Sequence, residues 1–200
     1  LELLELETGS KAPISLRFST QNFSKMTSIQ TQRLTLLPLS LPQLHLYLEG
    51  VPLLAQSLGL VAEPIQVVPD FWAMVPEAMA HYSIPKVAEH HDQYEWYTHW
   101  LIVFENRIAG GTGLSGLPNE LGEVQTGYFV DERYYNRGIA TEATMGLCDW
   151  AFQHPGVKAV IAYTLADGFA SQRVLQKCGF ELQGKNEEGE LAWRLSKPKN

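Results

Sequence analysis

The run from Glu123 to Ala143, EVQTGYFVDERYYNRGIATEA, changes periodicity across a single glycine. EVQTGYFV carries the β-branched and aromatic residues of a strand. From Ile139 onward apolar residues recur at helical spacing, with Ala140, Ala143, Leu147 and Ala151 on one stripe and Pro155-Gly156 to stop it. Gly138 at the junction permits unusual dihedrals and a close approach of ligand to backbone. A helix starting there leaves its first amide N–H groups without intrahelical partners, and its dipole adds partial positive charge. Ala140 keeps the turn narrow, and Arg133 and Arg137 flank it with charge. Those are the parts of a phosphate or pyrophosphate site. An ordinary helix start that happens to contain a glycine is the other reading of the same residues.

Around this junction the pattern is α+β. Ile29 to Leu39 reads as a first strand, and Ser40 caps a helix through LPQLHLYLEG with Pro42 in its first turn and Gly50 at its end. Residues 51–95 are mostly helical by pattern, with Asp70 placed to cap PDFWAMVPEAMAHY. WYTHWLIVF, IAGGTGLSGL and EVQTGYFV, joined by a tight Glu105-Asn106-Arg107 connection and a PNELG turn, make an antiparallel meander. VKAVIAYTL is a further strand, ASQRVLQKC a short helix ended by Gly179, and two strands close the chain around GKNEEGE. The expected architecture is a mixed, largely antiparallel central sheet with helices on both faces. Residues 1–25 read as an N-terminal extension in which LELLELE fits a short helix or a strand, and 26–200 as one domain.

Several functions are disfavoured at once. A formal charge of -7 argues against nucleic acid as a partner but not against a small anionic ligand. Cys148 and Cys178 form neither a CxxC pair nor a zinc spacing, and read as reduced thiols of a cytoplasmic protein. No apolar run is long enough to span a membrane. GTGLSG, Gly111 to Gly116, matches a dinucleotide fingerprint letter for letter, but a turn and another strand follow it where that fold needs a helix. Consecutive residues of EHHD, Glu89 to Asp92, cannot share one helix face, so a metal site is the weaker reading.

A second element carries the argument further. ADGFASQRVLQKCGF follows the strand VIAYTL, one strand beyond the glycine-started helix. The ordered pair resembles the GNAT superfamily of N-acetyltransferases, and most closely its ribosomal-protein N-terminal acetyltransferase branch. The match to that family's Q/R-x-x-G-x-G/A loop is Tyr135, Asn136, Arg137, Gly138, Ile139 and Ala140, followed by Thr141-Glu142-Ala143 as in that branch. The downstream N-x-x-S-x-x-V-L-x-K-x-G-F element is matched at Ser171, Val174, Leu175, Lys177, Gly179 and Phe180. The resemblance spans about residues 27–195 and is strongest from Glu123 to Phe180.

The resemblance implies acetyl-CoA as cosubstrate, held by Tyr135 to Thr141 with Ser171, and by backbone groups of Phe129 and Val130, one of which meets the oxyanion. It implies direct attack of a primary amine on the thioester, the amine belonging to a protein N-terminus or a small molecule, with Glu123 as base and Ser171 as acid toward sulfur. A solvated strand-end carboxylate and a hydrogen bond in a helix's first turn are the other readings of those two. Glu142, in a first turn, is structural. Departures are visible: Tyr135 stands for Gln or Arg, Gly168 for Asn, Leu175 for a Tyr that protonates the thiolate, and Gln125 for a frequent Glu. They leave a non-catalytic acetyl-CoA-binding module as the alternative. The acceptor wall falls within residues 50–100, with Phe71, Trp72, Trp96, Tyr97 and His99 either lining a pocket or filling the core. A homodimer is compatible with all of this.

Overall fold

The computed structural model of the chain describes residues 28–198. The extension 1–25, with LELLELE, lies outside the described residues. In chain order the elements are β1 (Ile29–Gln30), β2 (Leu34–Pro38), α1 (Leu41–Glu49), α2 (Val51–Ser57), α3 (Pro69–Ala78), a π turn (Met79–Ser83), α4 (Ile84–Glu89), a 3-10 segment (His91–Trp96), β3 (His99–Phe104), β4 (Arg107–Leu114) and β5 (Glu123–Val130). After a short 3-10 turn (Glu132–Tyr134) come α5 (Ile139–Phe152), β6 (Ala159–Thr164), α6 (Phe169–Lys177), β7 (Glu181–Lys185) and β8 (Leu191–Ser196).

The sheet order is β1-β2-β3-β4-β5-β6-β8-β7. Every neighbouring pair is antiparallel except β5 and β6, which run parallel. A parallel pair needs a long crossover, and α5 provides it. Ala143, Leu147 and Ala151 of that helix are fully buried, as their spacing predicts. The meander β3-β4-β5 forms as expected. Its first turn has Glu105 and Asn106 both at positive φ, the backbone a two-residue hairpin requires.

Three expectations are corrected. The strand predicted over Ile29 to Leu39 is two strands, because Thr31 turns the chain: its amide donates to Leu34 O, and its hydroxyl accepts from the Leu34 amide. The helix after Val68 opens at Pro69, so Val68 takes the cap position and Asp70 falls inside the first turn. WYTHWLIVF becomes a strand only at His99, since Trp96 closes the 3-10 segment. Among the described residues no helix is long and apolar enough to cross a membrane.

Candidate active site

The parallel pairing of β5 with β6 runs from Glu123 to Gln125 and goes no further, while β5 stays paired with β4 to Val130. The two strands part beyond Gln125. In an antiparallel ladder alternate residues turn their backbone groups to the same neighbour. Ser115 N–H donates to Gln125 O and Asp131 N–H donates to Ala109 O, so the odd-numbered residues of β5 face β4. Phe129 is one of them. The backbone groups of Tyr128 and Val130 therefore face the parted edge.

A cavity of about 770 Å³ opens at that edge. Phe129, Val130, Tyr135, Asn136, Gly138, Ile139, Ala140, Thr141 and Ser171 all line it, joined by Tyr128, Val67 and Val68 and by Arg173 and Lys177 of α6. Gly138 sits at φ +76 as the cap of α5, a conformation that costs other residues about 1–2 kcal/mol. The loop before it is braced by Asp131, which is fully buried. Its carboxylate accepts from the Arg133 guanidinium at 2.6 and 2.9 Å and from the amides of Arg133 and Gln66. Burial alone would push this carboxyl up; the Arg133 and Gln66 hydrogen bonds outweigh burial and hold it below its usual value. The same contacts bring Val67 and Val68 to the rim.

Both arginines that flank the loop in sequence are committed elsewhere. Arg133 serves Asp131 and also pairs with Glu63 at 3.1 Å. Arg137 lies over the Phe104 ring, 4.8 Å from its centroid, and 3.8 Å from Glu105. It does not line the cavity, a correction to its expected place. The cations that do are Arg173 and Lys177; their positions in a polar helix after a Gly turn were the available signal.

Ser171 lies in the first turn of α6, whose cap position belongs to Gly168. Its hydroxyl is not used by the helix cap and sits beside the Tyr128 phenol. Its carbonyl accepts from the Tyr128 hydroxyl at 3.0 Å, which ties β5 to α6 across the cleft. Burial pushes that phenol up and keeps it protonated. Leu175, at the position of the family's tyrosine, is fully buried and turned away from the cavity.

A second cavity of about 270 Å³ lies on the opposite face of β4 and β5. Tyr128 and Phe129 line both cavities, so these two residues form the partition. Its floor is bare backbone: Gly111, Gly113 and Gly127 occupy cross-strand positions, Gly113 opposite Gly127 and Gly111 opposite Phe129. Its walls include His99, Tyr97, Met79, Tyr82 and Ser83, the last three from the π turn. The His99 ring rests on Gly111, where a Cβ would collide with it, and stacks on Phe129 with centroids 5.7 Å apart. Its Nε2 is buried without a partner, and burial pushes the imidazole down to about 4 from an ordinary 6.5. His99 and Tyr97 thus line a pocket. Trp72 packs against Tyr47 and Phe129, and Trp96 is core, set against Trp150 and His154. The side chain of Phe71 lies outside the described residues.

Glu123 is not brought to either cavity. It stands at the far end of β5, six residues or about 20 Å from Phe129, and receives Arg194 Nε at 3.0 Å. At that distance the carboxylate has no direct contact with the partition, and a base role for it would need a chain of waters.

Known proteins share this fold. The chain is 34% identical over 91 residues to the uncharacterized N-acetyltransferase YjdG of Bacillus subtilis (strain 168), a match covering 44% of this chain and 54% of that protein. It thus spans about half the length of that relative. Among solved structures, RimL, a ribosomal L7/L12 alpha-N-protein acetyltransferase in complex with coenzyme A, superposes with a TM-score of 0.62 at 15% identity, over 84% of this chain and 97% of that one. The ribosomal-protein-S5-alanine acetyltransferase from Vibrio fischeri gives 0.61 at 16% identity, over 86% and 97%. At such identity the likeness establishes the fold. Residues 63–181 match the model of the acetyltransferase (GNAT) domain, more than half of the sequence, and the chain belongs to that family.

Proposed function

We propose that this protein moves an acetyl group from acetyl-CoA to a primary amine, of a protein N-terminus or a small molecule, by direct attack on the thioester. The observation that carries the reading is the partition: two cavities on opposite faces of the sheet meet at Tyr128 and Phe129. One provides for an anionic, extended cosubstrate and the other for its reaction partner.

The larger cavity fits acetyl-CoA. The first-turn amides of α5, converging at Gly138, suit a pyrophosphate, and Arg173 and Lys177 add positive charge on the facing helix. The backbone groups of Tyr128 and Val130 that face the parted edge are free to pair with the amides of pantetheine. Acetyl-CoA supplies an activated acyl group; what this chain supplies is position and polarity around it. The Val130 N–H serves as oxyanion donor, a role worth about 2.7–4 kcal/mol where it has been measured. The Ser171 hydroxyl, unused by its own helix, donates to the departing sulfur. A hydroxyl at the cleft that does not cap its own helix favours the enzyme over a binding module without turnover.

Binding and turnover separate the two readings. Calorimetry with acetyl-CoA should show a single site of binding. A panel of amines assayed for CoA release should then show acceptor-dependent turnover. Binding without release for any acceptor would leave only the module.

A further inference from the structure

We propose that the smaller cavity selects uncharged, weakly basic amines with an apolar body, and that Gly127 sets how large that body can be. The proposal rests on the transferase reading above and adds the acceptor's chemistry to it.

Charge is the first observation. Among the described residues no carboxylate, lysine or arginine lines this cavity; its polar groups are phenols, hydroxyls, Gln125 and the His99 ring. His99 is uncharged at neutral pH, since burial holds it well below its ordinary range. An ammonium group held against this lining would find no counter-charge among the described residues, and a carboxylate or phosphate beside the amine would find no cation, so neither recovers the hydration it gives up there. The lining therefore suits the neutral form of the amine best, which favours low basicity. At pH 7 an α-amine of pKa about 8 is roughly 10% neutral, against about 0.04% for a lysine side chain near 10.4.

Space is the second. Gly111 is already covered by His99, and a Cβ on Gly113 would press on the Thr98 carbonyl at 3.1 Å. Gly127 differs: a Cβ there would meet nothing within 4 Å, its φ lies outside the glycine-favouring region, and it is exposed within the cavity. A side chain at 127 would point into the space an acceptor needs, without strain and two residues from the partition.

The test uses the full chain with Gly127→Ala and Gly127→Leu, assayed for CoA release. The acceptors are benzylamine, a tripeptide amide with an apolar N-terminal residue, and amines of equal size bearing a carboxylate or phosphate next to the nitrogen. The amines without an added anion should be used at least tenfold better than their anionic counterparts. Gly127→Leu should lower kcat/KM for benzylamine about 100-fold, with Gly127→Ala between it and the parent, while acetyl-CoA affinity and melting temperature stay unchanged. A preference for anionic amines, or a Gly127→Leu variant with normal acceptor kinetics, overturns the inference and leaves the transferase standing. No turnover with any amine removes the transferase reading, and this inference with it.

Discussion

Arg33 donates twice to Glu142, from its amide to Oε1 and from its guanidinium Nε to Oε2, each at 2.7 Å across 109 residues of chain. Thr31 adds a third hydrogen bond at 2.7 Å, and Arg33 Nη1 donates to the Arg137 carbonyl at 3.0 Å. The turn between β1 and β2 therefore holds the first turn of α5 and the loop leading into it. Burial pushes the Glu142 carboxyl up, but the bonds from Thr31 and Arg33 outweigh it and keep it below its ordinary 4.5.

Glu142→Ala should destabilise the fold by about 2 kcal/mol, within the range for hydrogen bonds to charged groups. It should also weaken acetyl-CoA binding, because Arg33 loses its brace and releases the Arg137 carbonyl. Urea titration and calorimetry read the two effects. Full stability with weakened binding would mean that Glu142 touches the ligand directly.

Acid should unfold the protein in two windows. Between pH 6.5 and about 4 the unfolded chain binds a proton at His99 that the folded chain refuses, so stability falls as pH drops through that range. The full loss is about 3 kcal/mol. The ring faces Tyr47 edge-on at 5.2 Å, Phe129 and Gly111, none of which offers a charge to relieve it. Asp131 and Glu142 act the other way in origin but later in pH. Their folded values lie below ordinary ones, so their contribution is present above about pH 4.5 and is lost below it. His99→Phe should abolish the upper window and leave the lower. Melting temperatures from pH 7 to 3.5 check both; an unchanged slope above pH 4.5 in the variant would refute the assignment.

Arg137 and Arg173 should separate cleanly. Arg137→Ala removes a cation packed on Phe104 and Tyr134, and should cost about 0.5–1 kcal/mol of stability with little change in acetyl-CoA affinity. Arg173→Ala should leave stability unchanged and weaken acetyl-CoA several-fold, more at low salt than at high, since an exposed charge is screened. Calorimetry at two salt concentrations decides; the opposite pattern would restore Arg137 to the phosphate site.

Ser171→Ala should lower kcat by about 100-fold, with near-normal acetyl-CoA binding. Melting temperature should not move, because Gly168 and not Ser171 occupies the cap position of α6. Full turnover at saturating substrate would show that sulfur receives its proton from water or another group.

The local patterns were legible because their causes are local. Alternation in EVQTGYFV, the helical stripe from Ile139, the glycine between them and the glycine after Lys177 depend on neighbours a few residues away. They placed β5, α5, α6 and the cleft residues Tyr135, Asn136 and Gly138 to Thr141. Side-chain commitments were not legible, because they depend on register between distant segments. Arg133 belongs to a carboxylate that also binds the Gln66 amide, Arg137 to a ring on β3, and Glu123 to Arg194 on β8. The GTGLSG run marks the boundary between the two. Its strand context was enough to set aside a dinucleotide site. Only the pairing of β4 with β5 put Gly111 and Gly113 beside Gly127, because a bare patch on a sheet is made by strands lying side by side and no single strand contains it.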